Sequence, residues 1–317
     1  MCMNIFQNKL LTDEQIKEFD KNGVLVIENV LTDEEVESAR NGLHKQLLGF
    51  GLDHNKILSG EQIITDGCRI KGKASRIFYN KWKMDVHLNQ KVYEYMKELL
   101  LATYSTKRDN YKHPYEKFTD IIAYIDRVCW RLPDIIKHEG GLLCHLDRNP
   151  FDPYLTKHGG LKKWRPIQAF ISLTDQYGSN SGGLKVVKGF HNKIDEYFKN
   201  NCDVEGGGEF YRLISKSHSL LNKELQPINA PKGSLVCWDN RLPHATCQYL
   251  EGNDTREVVY IGWLPKTELN IKYCLNQLKN MQLNKAPPAY EDGDEISDKD
   301  WHEDEFTDEQ KKMLLML

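Results

Sequence analysis

The run Cys144-His145-Leu146-Asp147 sets a histidine and an aspartate two positions apart. On a β-strand, residues i and i+2 share a face, so His145 and Asp147 project together while Leu146 packs behind. One imidazole nitrogen and one carboxylate oxygen then form a two-point claw for a divalent metal. Alone, the triplet is a weak signal, because His-x-Asp arises by chance and a buried His–Asp hydrogen bond is its plainer reading. A third ligand must come from elsewhere. His244 lies 97 residues after Asp147 (244 − 147), beyond the strand-like run 233–239 and the turn Asn240-Arg241-Leu242-Pro243. Two histidines and one carboxylate on one face of a metal leave three positions open, which suits non-haem Fe(II) chemistry. Arg256 follows His244 by twelve residues and opens the apolar run Val258-Val259-Tyr260-Ile261. A hairpin between them would bring the guanidinium under the metal, where it could grip a carboxylate with two parallel hydrogen bonds. The alternative is a solvated charge at a strand end.

Strands and helices must position these groups. Thr12 with Gln15 and Thr32 with Glu35 read as capping boxes that start two helices. Asn22-Gly23 ends the first helix, and Val24-Leu25-Val26-Ile27 is a short apolar strand. Within the mixed region 61–126, Val92, Met96, Leu99 and Leu100 fall on one helical stripe. From about Ile121 the texture changes to short β-type runs at 121–130, 141–146, 166–173, 183–187, 233–239 and 258–264, divided by Gly, Pro and Asp. That rhythm predicts a sandwich or barrel and not a parallel sheet. A helix over about 270–283 follows. Residues 286–309 begin Ala-Pro-Pro and turn acidic, which predicts a loosely packed tail, with a short amphipathic helix over 307–317. The expected organisation is one catalytic domain over 1–285, helical to about 120 with a β core at 121–265, and an acidic tail over 286–317.

From about Leu11 to Leu264 the sequence resembles the phytanoyl-CoA dioxygenase family of iron- and 2-oxoglutarate-dependent oxygenases. Four segments carry the resemblance. They are Leu11-Thr12-Asp13-Glu14-Gln15 with Gly23-Val24-Leu25-Val26-Ile27; His145-Leu146-Asp147; Ile171-Ser172-Leu173-Thr174-Asp175 with residues 181–191; and Pro231-Lys232-Gly233-Ser234-Leu235 through His244-Ala245-Thr246, with Arg256 beyond. The third is the most specific, although Lys188 and Phe190 depart from the family's usual Pro-Gly-Ser-His ending there. The resemblance implies a mainly β fold with flanking helices around a double-stranded β-helix (a cupin-like jelly roll), with a metal at its mouth. It implies that His145, Asp147 and His244 hold Fe(II) and that Arg256 binds the distal carboxylate of 2-oxoglutarate. Thr246 would assist Arg256, and Arg131 stands near a basic position of the family. O2 would be the third reactant. Related halogenating enzymes carry a small residue where this chain has Asp147, so hydroxylation, desaturation or ring closure is expected. His191 reads as a structural residue.

The substrate is expected to be a small, carboxylate-bearing molecule. Gln168, Phe170 and Ser172 share one strand face that would look into the barrel. Arg148 and Arg241 flank the proposed ligands, and Lys162, Lys163 and Arg165 cluster nearby; such cation density favours an anion, with solvated charged loops as the alternative. The Pro- and aromatic-rich stretch 149–164 reads as a lid. Hydrophobic residues make up 40% and charged residues 28% of the 317, so an ordinary globular core is available. A net charge of −3 argues against nucleic acid as partner. No apolar run approaches the ~20 residues of a membrane span, and Met1 to Lys9 lacks the pattern of a secretory signal. Eight cysteines without a Cys-x-x-Cys pair argue against a zinc ribbon or a disulfide scaffold, and a reducing, cytoplasmic compartment is expected. Three other functions compete: a metal-binding β-helix sensor without turnover, a zinc hydrolase (for which no general-base Glu stands beside the ligands), and a hydroxylase of a protein partner.

Overall fold

In the computed structural model, residues 9–64, 76–105, 117–151, 156–158, 161–207, 210–290 and 299–317 are described. Both capping boxes form. Thr12 and Thr32 accept from the backbone N–H three residues on, and Gln15 and Glu35 return the bond, starting α1 (Asp13–Asn22) and α2 (Asp33–Gly49). Gly23 then takes φ +73°, a left-handed turn open to a residue without a Cβ, and the chain enters β1 (Val24–Ile27). Helices α3 (His54–Leu58), α4 (Lys81–His87) and α5 (Gln90–Tyr104) extend this layer. All four residues of the predicted stripe on α5 are buried.

The strands that follow are β2 (Ile121–Arg131), β3 (His145–Leu146), β4 (Thr156–His158), β5 (Leu161–Lys163), β6 (Ile167–Ser172), β7 (Leu184–Val186), β8 (Glu205–Gly207), β9 (Phe210–Arg212), β10 (Gln226–Pro227), β11 (Leu235–Asp239), β12 (His244–Thr246) and β13 (Arg256–Pro265). One sheet has the order β1-β11-β6-β13-β2 and a second β10-β7-β12-β3-β9-β8, antiparallel throughout. This is the double-stranded β-helix. Period-2 alternation divides its cores. Ile167, Ala169 and Ile171 of β6 face the helical layer and pack with Phe19, Met96 and Leu99. Phe170 faces the other way and joins Val186, Trp238 and Val258 between the sheets. Helices α6 (Ile194–Asn200), α7 (Ser219–Lys223) and α8 (Glu268–Gln282) follow the same chain order, α6 and α7 between strands and α8 after the last.

Two expectations change. The run 141–146 pairs as a strand only at His145–Leu146. Upstream, Gly140 turns at φ +64°, and Leu142 instead exchanges bonds with Thr246, through the threonine hydroxyl and its backbone N–H. The acidic C-terminal stretch is not loosely packed where it is described. Trp301, Phe306, Met313 and Leu314 are buried in the helical-layer core. Trp301 donates its indole N–H to the Tyr79 carbonyl, and α9 (Asp308–Met313) starts with a capping box at Thr307. Averaged acidity hid these anchors, which recur every few residues while the charges between them face water. Residues 291–298 of the stretch lie outside the described residues. No helix among the described residues is long and apolar enough to cross a membrane.

Candidate metal centre

His145 and His244 sit directly opposite each other in the β3–β12 register. Directly opposed residues of antiparallel strands bring their side chains close, and the two ring centroids are 4.2 Å apart. Asp147 follows just past the end of β3 on the same face. Its Oδ1 is 3.4 Å from His145 Nε2 and its Oδ2 3.6 Å from His244 Nε2. The three ligand atoms all lie within 4.8 Å of one another. Each Nδ1 is engaged by a carbonyl two residues upstream, Leu143 O at 2.6 Å and Leu242 O at 3.0 Å. A carbonyl can only accept, so each Nδ1 carries the proton and each Nε2 keeps its lone pair for a metal. Gln168 Nε2 donates to Asp147 Oδ2 at 2.7 Å and orients the carboxylate.

Electrostatics favour the same state. Burial, followed by the neighbouring His244, pushes His145 down to about 4, so it is neutral at physiological pH. Burial works against the Asp147 carboxylate, but the adjoining His244 and His145 and the hydrogen bond from Gln168 outweigh it and hold it well below the usual range. Asp147 remains 31% exposed toward a cavity of about 360 Å³. Two imidazoles anchored through Nδ1, an ionised carboxylate, fixed outer partners and open volume on one side suit a divalent transition metal.

Arg256 opens β13 and lines the same cavity, nearly fully buried. Its Nε donates to Gln176 Oε1 at 2.8 Å and its Nη1 to Cys129 Sγ at 3.1 Å. Among the described residues no carboxylate pairs with it. Thr246, Gln168 and Phe170 also line the cavity.

Of the sequence-predicted cations, Arg131, Arg241, Arg148, Lys162 and Lys163 do not line it. Arg131 pairs opposite Arg256 in the ladder. Its guanidinium nevertheless holds the loop after β12, donating to the carbonyls of Cys247 and Gln248 at 2.9 and 2.8 Å and pairing with Asp134. Arg241 is clamped on Asp239 through Nε at 2.9 Å and Nη2 at 2.7 Å, where Tyr104 of α5 joins the pair. Arg148 is buried but is not among the cavity residues. Ser172 is turned to Thr174 and Gln176. Lys163 lies buried over the rings of Tyr124 and Tyr273. The stretch read as a lid is described only in part, since residues 152–155 and 159–160 lie outside the described residues.

The cavity also contains Asp126, Arg127, Arg165, Trp238 and Tyr260. Of these, only Arg165 stands out in the sequence, as one of a loop cluster. The available signal for the others was a charged pair, Asp126-Arg127, inside the otherwise apolar run 121–130.

Fold and site together define a jelly-roll barrel carrying two histidines and one carboxylate at a cavity between its sheets. Residues 154–314 match the Gig2-like family, and the chain belongs to it. It is 24% identical over 312 residues to a Dictyostelium discoideum protein named "Putative phytanoyl-CoA dioxygenase", covering 84% of this chain and 80% of that one. The resemblance read from the four sequence segments therefore holds. Among solved structures, the Candida albicans GlcNAc Inducible Gene 2 protein superposes with a TM-score of 0.74 at 16% identity, over 97% of this chain and 77% of that one. A "Putative Oxidoreductase" from Salmonella typhimurium LT2 gives 0.72 at 17% identity, over 96% and 82%.

Proposed function

We propose that this chain is an iron(II)- and 2-oxoglutarate-dependent oxygenase that oxidises an unactivated C–H bond of a small molecule, by hydroxylation, desaturation or ring closure. One observation carries the reading: the cavity that holds His145, Asp147 and His244 also holds Arg256, a buried cation without a carboxylate among the described residues. The three donors would hold the metal. Arg256 would take the distal carboxylate of 2-oxoglutarate, beside the Thr246 hydroxyl. Iron and 2-oxoglutarate, when bound, supply the activation of O2 that C–H cleavage requires. The protein positions and shields. Gln168 holds Asp147 in place. Phe170, Trp238 and Leu184 line the cavity with apolar surface and limit water there. Asp147 would take the third protein position, which would leave none for a halide and favours oxygenation chemistry. A cavity of about 360 Å³ lies near the small end of ligand pockets, about 300–1,000 Å³, and supports a small substrate over a protein partner. The name carried by the Dictyostelium relative points the same way.

The test is anaerobic titration with Fe(II) and 2-oxoglutarate. The wild type should give a weak visible charge-transfer band and, on admission of O2, succinate. His145→Ala and His244→Ala should lose both while keeping the wild-type circular dichroism. A wild type that gives no band, or a His244→Ala protein that keeps turnover, would refute the assignment.

A further inference from the structure

Strand β2 carries a bulge at the cavity wall. Val128 pairs with Val259 and Ile125 with Ile261, so Asp126 and Arg127 together stand opposite Tyr260 alone. A regular strand would send these two neighbours to opposite faces. The extra residue re-aims them, as bulges beside active sites commonly do, and both line the cavity.

The bulge leaves one cation over. Asp126 is fully engaged: Oδ2 accepts from Arg165 Nη2 at 2.9 Å, and Oδ1 accepts from the Tyr290 hydroxyl at 2.6 Å and its neighbour's backbone N–H at 2.7 Å. Arg165 is buried behind this pair, with its guanidinium 4.6 Å from the Tyr124 ring centroid. Arg127 comes no nearer than 3.7 Å to Asp126, rests over the Tyr290 ring at 4.8 Å, and keeps 40% of its side chain exposed. Both arginines feel the charge of Asp147, so they share the field of the metal centre. The charge count of the cavity is three arginines (127, 165 and 256) against two aspartates (126 and 147), or +1 with neutral imidazoles. Fe(II) and doubly charged 2-oxoglutarate cancel each other and leave that sum unchanged. Arg256 is matched by the distal carboxylate and Arg165 by Asp126, so the residual charge belongs to Arg127.

We infer that Arg127 is the substrate-binding cation, and that the substrate is a small molecule bearing one oxyanion group, carboxylate or phosphate, which seats against Arg127 on the β2 bulge. This rests on the oxygenase reading above. It replaces Arg148 and Arg241, which sequence position had suggested, with a residue that faces the cavity.

The experiment uses the full chain loaded with Fe(II) and 2-oxoglutarate under argon, with the charge-transfer band as reporter. Probes are phenylacetate, phenyl phosphate and neutral 2-phenylethanol. In the wild type, at least one anionic probe should shift the band saturably, with an affinity that falls as salt rises, while the alcohol has no effect. The tighter of the two anions identifies the oxyanion. Arg127→Gln should keep the band but weaken the anion by about tenfold or more, as loss of a charge-assisted contact requires, and Arg127→Lys should restore part of it. Equal anion binding by wild type and Arg127→Gln, a preference for the alcohol, or no anion binding by the wild type overturns the inference while the oxygenase reading stands. Absence of the band itself in the wild type overturns both.

Discussion

Replacing Arg256 with Met should change two quantities in opposite directions. In the free protein the guanidinium is buried, bonded to Gln176 and Cys129 and in contact with the Tyr260 hydroxyl, and without a carboxylate among the described residues. Holding such a charge away from water is costly, and that cost is already met when the chain folds. A methionine of similar reach removes the charge, so the ligand-free variant should melt at the wild-type temperature or a few degrees higher. Cosubstrate affinity should move the other way. A guanidinium has five N–H donors in a planar fork. Gln176 takes Nε–H and Cys129 takes one N–H of Nη1, so outer N–H groups remain for a two-point grip. Two charge-assisted bonds at about 1.5–3 kcal/mol each amount to about 3–6 kcal/mol, or roughly 10²- to 10⁴-fold in Kd. Arg256→Lys keeps the charge but offers a point contact in place of the fork, and should fall between the two. The assay is anaerobic calorimetric titration of 2-oxoglutarate onto the Fe(II)-loaded protein, alongside a thermal melt of the ligand-free form. A Kd for Arg256→Met within about threefold of wild type would refute the reasoning, and the distal carboxylate would then need another anchor.

Two further predictions concern buried charges outside the metal centre. Lys83 of α4 is 0% exposed, and its amine has no hydrogen-bond partner among the described residues. Burial, only partly opposed by Asp126, pushes it down from 10.5 to about 7. Between these values the unfolded chain binds more protons than the folded one, so stability rises with pH; the penalty is fully present below about 7 and fades toward 10.5. Each tenfold change in a protonation equilibrium is worth on the order of 1.4 kcal/mol. Lys83→Met should therefore stabilise by a few kcal/mol at pH 6 and by much less at pH 10, read as the urea midpoint; a gain independent of pH would contradict this origin. Arg241→Met should destabilise by roughly 3–5 kcal/mol, because it strands the buried Asp239 carboxylate. Affinity for 2-oxoglutarate should hardly change, and a selective loss of that affinity at wild-type stability would return Arg241 to the cavity.

The parts of this protein set by short-range geometry could be read from the chain. Hydroxyl-to-Glu/Gln spacing placed the starts of α1 and α2, because a capping box closes within four residues. The i, i+2 spacing of His145 and Asp147 put both on one face, and alternation along β6 separated Phe170 and Gln168 from Ala169 and Ile171. Residue type added Arg256, a strand-opening cation twelve residues beyond a histidine. What the sequence could not decide was which charged neighbours meet. Arg148 and Arg241 lie as close along the chain to the proposed ligands as any cation, and Arg131 lies directly across the ladder from Arg256, yet the first sinks into the protein, the second pairs with Asp239 and the third staples a loop. Asp126 and Arg127 reach the cavity only because one extra residue in β2 breaks the alternation against β13. Tyr290, which falls within the stretch read as an acidic tail, returns to hold Asp126 across 164 positions of the chain. Local rules fix the face on which a residue sits within its own strand or helix. Sheet closure, a register shift and contacts between residues more than a hundred positions apart determine what that face meets, and those depend on the packing of the whole barrel.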